Sequence, residues 1–286
     1  MHGGQPRAVI TLPLIFRYVF AVGFLLGVLV FALLREAGAG AGGVSPQESA
    51  AALAVAIPVV VALHEAAHAA AALLLGGSRV GFGVAKLGPL AAGIYVKVEK
   101  PLPVSRWLIV ALAPLIISAA SYPFIFLGGF PGAVALMISW LNAVGASGDI
   151  VFSILASSAG RGALVQDEGD RLVIVGGKPR AVALLALDAV YVFFVSFLAV
   201  AAASLAAAVL TRSEVALAGL PLAEFAVRGP AEPAGSPAAG ASYEVSLSVR
   251  HGSVLAALAA TGVFEAALGT RRSRRLLHRL TEVEAK

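Results

Sequence analysis

The chain of 286 residues is 59% hydrophobic and only 13% charged, with a mean hydropathy of +0.91, which excludes an ordinary soluble domain. Its net charge of +5 sits in short segments flanking apolar runs, where anionic lipid is the nearer partner, so the pI near 9.8 does not argue for nucleic-acid binding. Without cysteine the chain forms no disulfide and offers neither a thiolate metal ligand nor a thiol nucleophile.

A hydrocarbon core of ~30 Å takes about 20 helical residues to cross. Five segments meet that length, near residues 14–34, 50–75, 107–127, 133–159 and 181–210. The first has an apolar run longer than the ~7–15 residues of a signal-peptide core, so an uncleaved anchor is expected. Between the second and third, Val80, Phe82 and Val84 alternate with smaller residues, and Ile94, Val96 and Val98 alternate with polar or aromatic ones. Gly88-Pro89 lies between the two runs, which predicts a β-hairpin at the membrane surface. A free strand edge there could take an extended peptide.

Arg79, Lys86, Lys97, Lys100 and Arg106 precede the third segment, and Arg161, Arg171, Lys178 and Arg180 precede the fifth; the other side's short loops carry only Arg35. The positive-inside rule therefore puts the amino terminus and both basic loops, hairpin included, in the cytoplasm. Residues 213–241, rich in Pro, Gly and Ala from 229 onwards, read as a linker. Residues 242–286 read as a small α/β or membrane-associated tail, with a strand over 243–250 and helices over 253–268 and 271–284. The fold expected is an all-α polytopic membrane protein, a domain over 1–212 with a short cytoplasmic hairpin.

The second segment contains His64-Glu65-Ala66-Ala67-His68. H-E-x-x-H sets two imidazoles one helical turn apart, so both can hold one Zn²⁺ from the same face, with the Glu beside it to take a proton from water. A charged group at a spanning helix centre costs ~2.5–3.5 kcal/mol on insertion scales, so such groups are rarely idle.

A catalytic zinc takes three protein ligands. Asp149 and Asp188 are the two Asp residues inside the apolar segments. Counted from the cytoplasmic ends at Leu75 and Ala159, His64, His68 and Asp149 lie roughly 10–16 Å deep at about 1.5 Å per residue. They can meet, and the small residues Gly145-Ala146-Ser147-Gly148 and Ala66, Ala67, Ala69 and Ala70 let the two helices approach. Asp188 ranks second, as a rival ligand, an acceptor for an imidazole N–H or a packing group. Asn142, two turns before Asp149, is a candidate for binding substrate backbone or an oxyanion, or for an interhelical hydrogen bond.

His64-Glu65-Ala66-Ala67-His68, then Pro103-x-Ser105-Arg106-Trp107 leading to Pro114, then Asn142-x6-Asp149 resembles the zincin peptidases, a family of small membrane proteins. Over residues 50–200 the chain also looks like a trimmed, distant relative of the site-2 proteases, which cut transmembrane helices. The resemblance implies zinc on His64, His68 and Asp149, with Glu65 as general base. Gly148 before the Asp, Ile150 after it and the lack of proline after Asn142 depart from the site-2 pattern.

The reading is an intramembrane zinc metalloprotease of a prokaryotic cell membrane, with its site nearer the cytoplasmic face. Its substrate would be a membrane protein or peptide, its cofactor Zn²⁺ and its surroundings the lipid bilayer, with no nucleic-acid partner. The rivals are a metal-ion transporter and a non-catalytic scaffold with a structural zinc, the latter favoured if Asp188 closes a four-ligand site.

Overall fold

The computed structural model describes residues 7–36, 44–75, 80–86, 92–168, 171–212, 214–217, 220–228, 244–269, 271 and 275. Helices dominate, and five are long and apolar enough to cross a membrane: Leu12–Leu34, Pro46–Leu74, Val104–Leu127, Gly129–Ser158 and Ala181–Thr211. The five expected segments match these to within four residues at each end.

In chain order the first strand is β1 (Arg7–Thr11), followed by helices α1 (Leu12–Glu36) and α2 (Pro46–Leu74). Ser45 starts α2 by accepting from the Glu48 N–H while its own N–H donates to the Glu48 carboxylate, a capping box with Pro46 following it. Strands β2 (Val80–Lys86) and β3 (Ala92–Val98) then pair antiparallel, with Phe82 opposite Val96. The expected Gly88-Pro89 turn lies outside the described residues.

The third and fourth spans are not the continuous helices expected. The third follows the short strand β4 (Leu102–Pro103) and consists of α3 (Val104–Leu112), α4 (Leu115–Ser121) and a 3-10 turn over Tyr122–Leu127. Pro114 causes the first break, because it has no N–H and its ring crowds the preceding turn. The fourth consists of α5 (Gly129–Gly145) and α6 (Ser147–Ser158), jointed at Ala146. Gly128 and Gly129 both have positive φ where the chain turns into α5, and a Cβ at Gly132 would sit 2.7 Å from the Ile125 carbonyl oxygen.

Strands β5 (Leu164–Asp167) and β6 (Arg171–Val175) precede helix α7 (Ala181–Thr211). They build a sheet that the sequence reading lacks, ordered β1-β6-β5-β4, every pair antiparallel. Its buried residues include Ala8, Ile10, Leu102, Val165, Leu172, Val173 and Ile174. The all-α expectation is corrected here. Each strand is only two to five residues long, too short for alternation to show in the stretches between the expected spans. The sheet gathers the starts of α1 and α3 and the end of α6, so the two basic segments share one end of the bundle.

Two compact units are described, Met1–Asp188 with residues from Arg271, and Ala189–Thr270. In the second unit β7 (Val215–Leu217), β8 (Leu220–Arg228) and β9 (Glu244–Val249) form an antiparallel sheet, followed by α8 (His251–Phe264). Strands β7 and β8 lie within the segment read as linker, 213–241. Their alternation is short and interrupted by Pro221, which hid them. The Pro- and Gly-rich stretch 229–241 and most of the helix expected over 271–284 lie outside the described residues.

Candidate metal centre

Small side chains bring the helices of the first unit close. On α2, Ala52, Ala56 and Val60 are buried, and on α5 so are Gly132, Ala133, Ala135, Ser139 and Ala143. Without large side chains at the contact, backbones approach and short polar groups reach across. On the other side, Gly23 and Gly27 of α1 lie against Ser147, Val144 and Trp140; the Trp140 indole N–H donates to the Gly27 carbonyl at 2.9 Å.

His64 and His68 project from α2 with ring centroids 4.9 Å apart, edge to face. Asp149, in the first turn of α6, meets both. His64 Nε2 lies 3.2 Å from one carboxylate oxygen and His68 Nε2 lies 3.5 Å from the other. One ligand atom from each of the three lies within 4.8 Å of the others. Two bonds of ~2.1 Å at the tetrahedral angle span about 3.4 Å, so this N, N, O set fits a zinc ion.

The Nδ1 atoms are held from outside. His68 Nδ1–H donates to the Val110 carbonyl at 2.8 Å. That carbonyl is open because its α-helical donor would be residue 114, a proline; within the helix it keeps only a 3.3 Å bond from the Ala113 N–H. His64 Nδ1–H donates to Asn142 Oδ1 at 3.0 Å. The Asn142 amide nitrogen donates to the Pro114 carbonyl and to Ser118 Oγ, each at 2.8 Å, which sets its oxygen towards His64. Both imidazoles therefore present Nε2 to the Asp149 carboxylate. Such outer bonds fix the tautomer and orientation of metal-binding histidines.

Glu65 lies beside this cluster, with the Val96 backbone N–H of β3 facing its carboxylate. Its Oε2 is buried without a hydrogen-bond partner among the described residues. Such a group is costly to leave unpaired and is therefore a candidate for contact with water or substrate. Arg106 Nη1 donates to the Leu75 carbonyl at 3.2 Å, and Trp107 is buried. The Pro103-x-Ser105-Arg106-Trp107 element thus ties α3 to the end of the His-bearing helix.

For Asn142 and Asp188 the packing favours one of the readings that the sequence left open. Asn142 is fully buried with both amide hydrogens and its oxygen engaged. It is placed to orient His64, and substrate or oxyanion binding does not fit it. Asp188 is 1% exposed and is no member of the cluster; Tyr18 Oη–H donates to it at 3.3 Å, and it forms an ion pair with Arg17 Nη2 at 3.6 Å. The sequence reading missed the Val110 and Pro114 carbonyls and Ser118. The available signal was Pro114 itself, four residues after Val110 and four before Ser118.

Residues 57–164 match the model of a family described as "Putative zincin peptidase", and every residue of the cluster falls within that range. An "Uncharacterized 24.7 kDa protein in gap 5'region" of Pyrococcus woesei is 33% identical over 111 residues, 39% of this chain and 49% of that protein. The chain thus spans about half the length of that curated relative. No solved structure is significantly similar. The comparisons support a zincin-like family for the part of the chain that carries the two histidines and Asp149.

Proposed function

We propose that the protein is an integral-membrane zinc metallopeptidase that hydrolyses peptide bonds of membrane-embedded or membrane-proximal substrates. The observation that carries the reading is the convergence of His64 Nε2, His68 Nε2 and the Asp149 carboxylate on one point, with the unpaired Glu65 oxygen beside it. Zn²⁺ bound there supplies a Lewis acid that polarises the scissile carbonyl and acidifies water.

Glu65 is the general base. Its carboxylate takes a proton from the attacking water and returns it to the leaving amine. Asn142 and the Val110 carbonyl keep the two imidazoles in the tautomer that ligates through Nε2. The depth of the cluster and the basic loops at one end of the bundle support a site nearer the cytoplasmic face of a prokaryotic cell membrane.

The scaffold reading requires a fourth ligand from the protein, and Asp188 is engaged with Tyr18 and Arg17 instead. The transporter reading requires polar stations leading to both faces, whereas the metal-binding groups gather in one cluster among the described residues.

The test is zinc content and cleavage of model transmembrane peptides by purified protein, wild type beside Glu65→Gln. One zinc in both, with cleavage by wild type reduced about 10²–10⁴-fold in the variant, supports the reading. Wild type without zinc, or zinc-loaded wild type that cleaves none of the peptides, counts against it.

A further inference from the structure

We propose that α8 is an interfacial helix: its outer face lies in the plane of a bilayer surface, and the arginines that follow it in the chain bind anionic headgroups there. This surface is separate from the metal centre. It needs only that the long apolar helices lie in a bilayer.

The polarity of α8 is the reverse of that of a helix facing water. Its two hydroxyls are turned inward. Ser253 is fully buried and donates to the Leu222 carbonyl of β8 at 2.8 Å, and Thr261 is 9% exposed and donates to the Ala257 carbonyl at 2.7 Å. Ser253, Ala257 and Thr261, four residues apart, form one buried stripe of small side chains. The start of the helix sits tight on β8, since a Cβ at Gly252 would run into the Pro221 carbonyl. The larger aliphatic side chains point outward: Val254, Leu255, Leu258 and Val263 are 39–73% exposed. Water favours the opposite arrangement, with leucines inside and hydroxyls outside.

Length and chemistry select the partner. The 14 residues of α8 reach about 21 Å, short of a ~30 Å hydrocarbon core, so the helix lies flat and does not cross. Its exposed residues are Val, Leu, Ala and Gly, with none of the aromatic anchors that dominate protein–protein contacts. Charge complements the apolar face. From Thr270 the chain runs into Arg271-Arg272-Ser273-Arg274-Arg275 and on to Arg279, with no acidic residue before Glu282. An apolar face joined to a basic cluster supplies the two signals that stable surface binding takes, and the cluster selects anionic lipid. Strand β7 begins four residues after α7 ends, which tethers this unit at the bilayer and makes the binding intramolecular.

The experiment uses the full chain in nanodiscs of phosphatidylcholine and phosphatidylglycerol, with an environment-sensitive fluorophore on Leu258→Cys. A second label on Leu198→Cys, within α7, reports the span. The Leu258 label is expected to be quenched about 2-fold more by a doxyl group near the lipid headgroup than by one at the chain end, and little by aqueous iodide. The Leu198 label is expected to show the reverse preference for depth. Replacing the five arginines by glutamine, or phosphatidylglycerol by phosphatidylcholine, is expected to raise iodide quenching at Leu258 about 2-fold and to leave Leu198 unchanged.

A Leu258 label open to iodide and untouched by either lipid quencher overturns the proposal. So does a label that neither iodide nor lipid reaches, which would mean that a second copy or another part of the chain covers α8. Quenching at Leu258 that ignores both the arginines and the lipid charge overturns the headgroup contact. A Leu198 label beyond reach of the chain-end quencher overturns the membrane reading itself.

Discussion

The Val110 carbonyl accepts from His68 Nδ1 at 2.8 Å because Pro114, one helical turn on, has no N–H to claim it. The same proline offers its own carbonyl to Asn142, which holds His64. A single break in the third span therefore supports both imidazoles. In lipid, backbone groups freed by a proline must find partners within the protein. Here the partners are the side chains that orient the candidate metal ligands.

Replacing Pro114 tests this directly. Pro114→Ala gives residue 114 an N–H, lets α3 run into α4 and returns the Val110 carbonyl to the helix. Zinc affinity is expected to fall about 10–100-fold, the range for lost outer partners of metal-binding histidines. Chelator competition measures it, and circular dichroism should show helix content no lower than wild type.

Asn142→Leu removes an amide that satisfies His64, Pro114 and Ser118 at a fully buried position. The groups left behind are expected to cost about 1–3 kcal/mol of stability. Thermal unfolding in micelles checks that loss. Zinc affinity should fall with it, about 10–100-fold.

Asp188→Asn separates the two aspartates of the long apolar helices. Asp188 pairs with Arg17 and Tyr18 and is no part of the His64, His68 and Asp149 cluster. The variant is expected to keep one zinc per chain by metal analysis while unfolding at a lower temperature. Loss of zinc would return Asp188 to the ligand set.

The chain has no cysteine, so single cysteines can report topology without background. Lys97→Cys and Lys178→Cys are expected to react with a membrane-impermeant maleimide from the cytoplasmic side, in inverted vesicles. Arg35→Cys is expected to react in right-side-out vesicles. The reverse pattern would move the site to the other face.

Much was legible in the residues alone, and for local reasons. Length and hydropathy place the five long apolar helices because crossing a bilayer would be a requirement on consecutive residues. His64 and His68 share a face because both lie on one helix, four residues apart. The β2–β3 hairpin was readable from alternation on both sides of a short gap.

What the sequence could not decide depended on residues far apart along the chain. Strand β1 pairs with β6 at least 160 positions away, and strands of two to five residues carry too little periodicity to announce themselves. Asp149 and Asp188 are the same residue type in similar apolar helices, and depth admits either. Only the packing separates them, since α6 brings Asp149 to the histidines while α7 sets Asp188 against Arg17 and Tyr18. Asn142 likewise looks available in sequence, yet its three contacts come from α2, the Pro114 joint and α4. Spacing on one helix determines which atoms can share a ligand; which other helix completes the set is decided by close packing, where Ala and Gly permit contact and hydrogen bonds select the partner.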